Sequence, residues 1–475
     1  MSEKTMNVLF ASSEAYPFFT SGKLGDMTGS LSKALKQENV NIRVILPLYR
    51  DMKDKWREKL RYITNFTVPV SWRSQYCGLF EFVREGVTYY FLDNEYYFNR
   101  NGFYGFADDG ERFAFFARAI LEAVLHIDFS PHIIHCNDWQ TALTPVYLNL
   151  KYRCIEKFSK TKTIFTIHDV QYQGQYGPEI LDEILGLGHD NFHLVEYDGV
   201  VNYMKGAIEA ADIVSTVSPS YAREILEPFY GCGMDSFLRE RSFKLRGILN
   251  GIDEEEYNPA LDMQIAAQYD ADTFEKGKAC CKEYLRKIFG LEQKDAPLIG
   301  MVTHFVNHKG PDLLVRAADE ILDAGMQLVI LGYGDSGYER FFGELAARRS
   351  GRCAVRFGFL PDIARNIYAG SDMFLMPSKS EPCGLAQMVA LRYGSIPIVR
   401  SSGGLRDTII DGKNGFAFPG YNADEMRHAC LRSYETWRNR NTWAALVRRA
   451  MKCDNSWTAP AKKYVEMYRE TVKLW

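Results

Sequence analysis

Four polar clusters in this 475-residue chain stand where an apolar run stops, and each carries a side chain suited to bond-making chemistry. "HCNDWQ" supplies Asp138, and "TIHDVQYQG" supplies His168 with Asp169. "THFVNHKG" supplies His304, Asn307, His308 and Lys309, while "SEPCGL" supplies Glu381 and Cys383, followed by Gly384 and Leu385. A fifth stretch, "SGKLGDM", sets Gly22, Lys23 and Asp26 between an apolar run and an amphipathic segment with Met27, Leu31 and Leu35 at four-residue spacing. That pattern predicts a strand, a glycine loop and a helix. Such a junction aims backbone N–H groups and the positive end of a helix dipole at what lies above it, which suits an anion such as phosphate. Lys23 is the awkward residue, since a phosphate-cradling loop more naturally carries another small side chain there.

Each cluster also has a plainer reading. Asp138 suits the cap of a helix beginning at Trp139, and His168 suits a satisfied interior histidine. Lys309 is by type a solvated lysine, but a glycine turn ahead of a proline-started helix favours a phosphate role. Cys383 reads as a small packing residue, because no activating base adjoins it. Glu381 is more telling. A carboxylate ahead of a glycine and a helix pattern can hold a polyhydroxylated ligand while neighbouring amides hold a diphosphate. "SSGGLRDT" adds a second glycine loop, Ser402 to Leu405, which also reads as a turn. "GYG" at 332–334 lacks the rest of a dinucleotide fingerprint, so no nicotinamide site follows from it.

The elements that must position these residues alternate. "NVLFASS", "NIRVILPLY", "VTYYFLD", "HIIHCND", "TIFTIHD" and "DIVSTVS" read as strands with amphipathic stretches between several of them, the pattern of a mainly parallel sheet covered by helices. "LRGILNGIDEEEYNP" combines a strand-like run, glycines, acids and a proline, and reads as an interdomain hinge. The rhythm then restarts with "PLIGMVTHF", "MQLVILGYG", "CAVRFGF", "DMFLMPS" and "SIPIVRSS". The expectation is an α/β chain of two doubly wound domains, residues 1–250 and 251–456, with ligands at the carboxyl ends of the strands in the cleft between them. Residues 457–475 read as a closing amphipathic helix, for which a return to the first domain is left open.

Bulk properties narrow the classes. The length favours more than one core. A net charge of −3 with 25% charged residues gives no basic footprint for nucleic acid, so any phosphate recognised is expected on a small ligand. The ten cysteines are scattered, without a CxxC pair, and read as reduced thiols of a cytoplasmic protein without a zinc or redox centre. The amino-terminal apolar run is too short for a signal sequence, and no stretch reaches the roughly 20 apolar residues of a membrane span.

Taken in order, "SSEAYPF", "GDMTGSLSKAL", "HCNDWQTAL", "HDVQYQG", "VSPSYAREI", "GILNGIDEEEYNP", "HKGPDL", "LGYGD", "EPCGLAQM" and "SGGLRDT" resemble the bacterial glycogen synthase and plant starch synthase family across nearly the whole chain. The resemblance implies the GT-B architecture, two Rossmann-like domains facing a central cleft. It implies transfer of glucose from a nucleotide-glucose, ADP-glucose in the bacterial and plant members, to the non-reducing end of an α-1,4-glucan acceptor with configuration retained, and no metal or other cofactor. It places His168, Glu381 and Lys309 at the reaction centre. Gly22, Lys23, Asp26, Asp138, Asn250, His304, Cys383, Gly384 and Leu385 are implied to bind substrate.

The chain also departs from the family pattern. The family loop typically reads Lys-Thr-Gly-Gly-Leu, a small residue and Asp. Here the span is Thr20, Ser21, Gly22, Lys23, Leu24, Gly25, Asp26. The arginine that normally precedes the phosphate-binding lysine is His304, and an imidazole is mostly neutral at neutral pH and lacks a bidentate fork. Asp169 stands in place of an asparagine, Gln140 in place of a histidine and Ala386 in place of a threonine. Losing one preorganised transition-state donor costs other enzymes roughly 10²–10³ in rate. Three readings stay open: an active synthase in which Lys23 or another cation supplies the missing charge, a catalytically impaired paralogue acting as a glucan-binding or regulatory protein, and a transferase with a different nucleotide donor.

Overall fold

A computed structural model describes residues 5–474. The first four residues of the amino-terminal stretch, and Trp475 at the end of the expected closing helix, lie outside them. The chain divides into two compact units. One runs to Val217, resumes over Ala222–Asn250 and includes the stretch from Trp457; the other is Gly251–Ser456 with Ser218–Tyr221. That last short segment lies inside the bounds expected for the first domain, yet groups with the second unit. There Asp407 accepts hydrogen bonds from the Ser220 N–H at 2.9 Å and the Ser220 hydroxyl at 2.6 Å.

In the first unit the strands β1 (Asn7–Ala11), β2 (Asn41–Pro47), β3 (Arg61–Val70), β4 (Arg73–Arg84), β5 (Val87–Asp93), β6 (Ile133–Asn137) and β7 (Lys162–Ile167) share one sheet with Ile213–Thr216 and Leu245–Gly247. The order from one edge is Leu245–Gly247, Ile213–Thr216, β7, β6, β1, β2, β5, β4, β3. The inner strands pair in parallel and are buried on both faces, as near-continuous apolar runs require. β4 instead pairs antiparallel with both β5 and the edge strand β3. In β3, Phe66, Val68 and Val70 are buried while Arg61, Tyr62, Asn65 and Thr67 are exposed, the alternation of a strand with one wet face.

The helix Thr458–Val472 packs on this first unit. Its Tyr468 hydroxyl lies 2.8 Å from His135 Nδ1 in β6, whose Nε2 is 2.6 Å from the Thr166 hydroxyl in β7. Thr166 in turn lies 2.6 Å from the Ser215 hydroxyl. The chain of bonds is fully buried, so each polar group needs its partner.

The second unit carries a six-stranded sheet, in the order Cys353–Phe357, Gln327–Gly334, Leu298–Phe305, Met373–Met376, Ile396–Arg400, Phe416–Phe418, with every neighbour parallel. The helix Pro311–Asp323 starts on its proline and buries Leu314, Ala317, Ala318 and Ile321, as its apolar spacing predicts. Both units are Rossmann-like α/β folds. Among the described residues no helix is long and apolar enough to cross a membrane.

Candidate functional site

In the first unit the polar residues meet at the carboxyl ends of β1, β6 and β7. Asp138 follows β6 with φ 55° and ψ 179°, a region that costs a non-glycine residue of order 1–3 kcal/mol and persists only where surroundings enforce it. They do: the Asp138 N–H donates to Thr166 O at 3.0 Å, and its Oδ1 accepts the His168 N–H at 2.7 Å. The backbone thus crosses between two strand ends to aim one carboxyl at the other strand's histidine. Burial pushes the Asp138 carboxyl up to about 8, against backbone N–H bonds from His168 and Asp169, so it is protonated at neutral pH.

Burial also lowers His168 to about 3, which keeps the imidazole neutral. Its Nε2 lies 3.0 Å from Asn137 Oδ1, while Asn137 Nδ2 donates to Ala11 O at 3.0 Å. An amide oxygen only accepts, so this arrangement assigns the ring proton to Nε2 and leaves Nδ1 as an acceptor.

The glycine loop precedes helix α1 (Lys23–Gln37), with Gly22 as the cap and Lys23 exposed at the first helical position. Thr20 turns inward: its hydroxyl donates to Gly22 O at 2.8 Å and accepts from Gly22 N at 3.2 Å. Asp26 lies one turn into the helix and donates its N–H to Gly22 O at 3.4 Å. The loop is anchored by a residue that the sequence reading did not single out. Glu14, only 2% exposed, accepts from the Ser21 N–H, the Ser21 hydroxyl at 2.7 Å and the Tyr104 hydroxyl at 2.5 Å. Tyr104 also bonds the Ser13 hydroxyl at 2.8 Å. Lys23 acts electrostatically on Tyr172, as Asp169 does with opposite sign, so two separate departures from the family pattern bear on one tyrosine.

In the second unit Glu381 and Lys309 meet directly. Lys309 Nζ lies 2.7 Å from Glu381 Oε2, which also accepts the Ser378 hydroxyl at 3.1 Å, and the Glu381 side chain is 1% exposed. Close backbone packing places both. Gly310, at φ +74°, leaves no room for a Cβ, which would stand 2.2 Å from Pro377 O. Gly404 N donates to Glu381 O at 3.1 Å, and a Cβ there would stand 2.1 Å from Cys383 O. "SSGGLRDT" is therefore a buttress for the "SEPCGL" segment. Cys383 is buried, and Gly384 and Leu385 lead into the helix Ala386–Arg392, with Leu385 as its cap.

His304 is the penultimate residue of the strand Leu298–Phe305 and pairs in register with Tyr333. Their rings lie 4.6 Å apart at 36°. Burial, then the charge of Lys309, lowers the His304 pKa, opposite to the rise by which it would imitate an arginine. Asn250, the last residue of the first unit, is 4% exposed and its Oδ1 has no hydrogen-bond partner among the described residues.

The residues named from sequence thus fall into groups. Asp138 joins His168; Gly22, Lys23 and Asp26 share one loop and helix start; Lys309 joins Glu381, with His304, Cys383, Gly384 and Leu385 nearby in the same unit. Among the described residues the Asn250 Oδ1 bonds to none of them. Glu14, Tyr104, Asn137, Ser378 and Tyr333 were missed. "SSEAYPF" carried the signal for Glu14, as an acid one residue group past β1, whereas nothing local marks Tyr104. Chemically, one unit offers a neutral imidazole and a protonated carboxyl, and the other a buried carboxylate exchangeable between a cation and hydroxyl donors. Among the described residues no three His, Cys, Asp or Glu side chains group as metal ligands.

Comparison with known proteins adds the lineage. Residues 7–240 match the starch synthase catalytic domain model, and residues 285–449 match glycosyl transferases group 1. The glycogen synthase of Clostridium botulinum (strain Alaska E43 / Type E3) is 46% identical, over 98% of this chain and 99% of that protein. The catalytic domain of starch synthase IV from Arabidopsis thaliana, solved with ADP and acarbose bound, superposes with a TM-score of 0.91 at 32% identity, covering 98% of this chain and 99% of that one. Sucrose-phosphate synthase from Thermosynechococcus elongatus shares the fold alone, with a TM-score of 0.63 at 17% identity over 98% of each chain. With the GT-B pair of Rossmann-like units and full-length identity of this order, the chain belongs to the glycogen synthase and starch synthase family of glycosyltransferases.

Proposed function

We propose that the chain transfers glucose from a nucleotide-glucose, ADP-glucose, to the non-reducing end of an α-1,4-glucan with retention of configuration. The observation that carries this reading is the Lys309–Glu381 pair, a cation and a nearly inaccessible carboxylate 2.7 Å apart. When the donor enters, its diphosphate draws Lys309 away from Glu381, and the freed carboxylate accepts the sugar hydroxyls. Leaving-group charge then develops beside a preorganised cation. On the first unit, neutral His168 and protonated Asp138 offer hydrogen bonds without adding negative charge near an anionic donor. The ADP bound to the Arabidopsis relative supports adenine as the base.

A specific observation favours a second reading, the impaired paralogue that still binds glucan. Thr20 is turned back onto Gly22, so no cation stands at the family's lysine position. The test is ADP release from ADP-glucose with glycogen as acceptor, with UDP-glucose and GDP-glucose in parallel. Turnover abolished by Glu381→Ala supports the enzyme. Glycogen binding without turnover on any donor moves the conclusion to the paralogue.

A further inference from the structure

The turn that carries Cys383, Gly384 and Leu385 is gripped from beneath by a single buried amide. Gln387, in the helix Ala386–Arg392, is 0% exposed. Its Nε2 donates to Cys383 O at 3.1 Å, to Gly384 O at 2.9 Å and to the Thr408 hydroxyl at 3.2 Å. Thr408 gives its own proton to Gly404 O at 2.7 Å, so towards Gln387 it acts as an acceptor. Three acceptors thus converge on one NH2 group, and turning the amide over would set an oxygen against all of them. The orientation is therefore fixed, and it leaves Gln387 Oε1 buried without a hydrogen-bond partner among the described residues. An orphaned buried oxygen is costly. What offsets it here is the hold of Nε2 on two consecutive carbonyls.

That hold orients the other side of the same peptide groups. In a trans peptide the C=O and N–H point in opposite directions, and both peptides here are trans. Drawing the Cys383 and Gly384 carbonyls in towards Gln387 therefore turns the Gly384 and Leu385 N–H groups away from the buried amide. Neither N–H has a hydrogen-bond partner among the described residues. The backbone lets the two converge. Gly384 has φ +73°, and Leu385 follows at φ −110° and ψ −32°, a left-handed residue ahead of a right-handed one, which is the shape of an amide nest for an anion. A side chain at 384 is excluded twice, by that φ and by a Cβ position 2.4 Å from Gln387 Oε1. Ala386 brings no hydroxyl to the turn. Glu381, at the start of the same segment, holds Lys309 at 2.7 Å, so a cation stands beside the turn that presents these amides.

We propose that Gln387 is a positioning residue for the donor, which touches no ligand and acts by aiming the Gly384 and Leu385 N–H groups at the diphosphate. The inference rests on the reading of the donor as a nucleoside-diphosphate sugar. Fixed amides bind an anion without reorganising and without a further cation, which matters in a chain with His304 where the family pattern has arginine. Thr408 is the second support, since it steadies the Gln387 amide from the helix Gly403–Thr408. One side chain thereby ties the glycine loop, the helix and the turn to a single direction of hydrogen bonding.

Calorimetric titration with ADP and with inorganic diphosphate compares the unmodified full chain with Gln387→Met, which keeps the length of the side chain without its donors, and with Thr408→Val. The expected result is a Kd for both ligands raised about tenfold in Gln387→Met and about threefold in Thr408→Val. Amide resonances of selectively labelled Gly384 and Leu385 should move on adding diphosphate to the unmodified chain, and move less in the variants. A lower melting temperature with an unchanged ADP Kd would make Gln387 merely structural and overturn the inference, as would resonances that ignore diphosphate in the unmodified chain. Thr408→Val leaves the two carbonyl bonds in place, so it decides the matter if Gln387→Met does not fold: an ADP Kd equal to that of the unmodified chain then overturns the inference. These failures leave the transferase reading intact. ADP binding weakened as expected, with no nucleotide-glucose turned over by the unmodified chain, defeats the transferase reading alone. An unmodified chain that binds neither ADP nor diphosphate defeats both.

Discussion

Lys309 and Glu381 neutralise one another across 2.7 Å, with the carboxylate sealed from solvent and the lysine side chain 17% exposed. Removing one partner of such a pair strands a buried charge, and typically destabilises by about 3–5 kcal/mol. Lys309→Ala is accordingly expected to lower the melting temperature of the second unit as well as activity. Glu381→Gln keeps the hydrogen-bonding shape and leaves the Lys309 charge, whose side chain is 17% exposed, so it is expected to cost less stability than Lys309→Ala while losing roughly 10²-fold or more in kcat. Combining the two substitutions should recover most of the stability lost in Lys309→Ala. Urea titration of the four proteins measures the coupling; strictly additive losses would show that the pair contributes nothing jointly.

The environment of His304 gives a test of donor binding against pH. The imidazole pKa lies below its ordinary value of 6.5, through burial and the Lys309 charge, so the ring stays mostly neutral between pH 8 and pH 6.5. Donor KM should therefore be flat over that interval. His304→Arg should lower donor KM about tenfold by restoring a charged fork, and steepen its dependence on ionic strength. A donor KM that improves steadily as pH falls from 8 to 6.5 would show that bound diphosphate overrides burial and the Lys309 charge.

Three buried groups shape the stability of the first unit against pH. His135 and His168 are held near 3 by burial, with the His168 charge adding for His135, and Asp138 is raised to about 8. Between pH 4 and 6.5 the unfolded chain binds both histidine protons, whereas the fold binds only that of Asp138. Stability thus rises with pH by about 1.4 kcal/mol per unit. From 6.5 to 8 only Asp138 differs, the fold holding a proton that the unfolded chain has released, so stability falls by about 1.4 kcal/mol per unit. These groups place the optimum near pH 6.5, and Asp138→Asn should abolish the falling limb. Chemical denaturation at pH 5, 6.5 and 8 measures both slopes.

Glu14 gathers three donors from two segments, so its loss acts at a distance from any ligand. Glu14→Ala leaves the Ser21 N–H and the Tyr104 hydroxyl without their acceptor, at about 1–3 kcal/mol for each group that stays buried. Donor KM should rise more than kcat falls, since the loop is loosened rather than removed. Glu14→Gln, retaining one acceptor, should rescue part of the KM effect; equal losses in both variants would assign Glu14 a purely charge-based role.

The strand ends, the glycine turns and the proline-started helix were legible because each depends on residues adjacent in sequence. Glu381 stood out for the same reason, ahead of a glycine and a helix. The Glu14–Tyr104 bond was not, because its partners lie 90 residues apart, a pairing no local period reports. The β3–β4 hairpin also escaped notice. Its strands mix tyrosine, threonine and arginine on one face with apolar residues on the other, so neither carries a continuous apolar run. Lys23 was legible as an anomaly, but not in effect: the structure has it acting on Tyr172 alongside Asp169.

The hydrogen bond between His135 and Tyr468 joins residues 333 positions apart, and that separation governs order of assembly. A ribosome releases β6 long before the helix that covers it, with the entire Gly251–Ser456 unit translated in between. The nascent first unit must therefore wait with an apolar flank bare, and that interval is when a chaperone would find its opening and a premature stop would be most harmful.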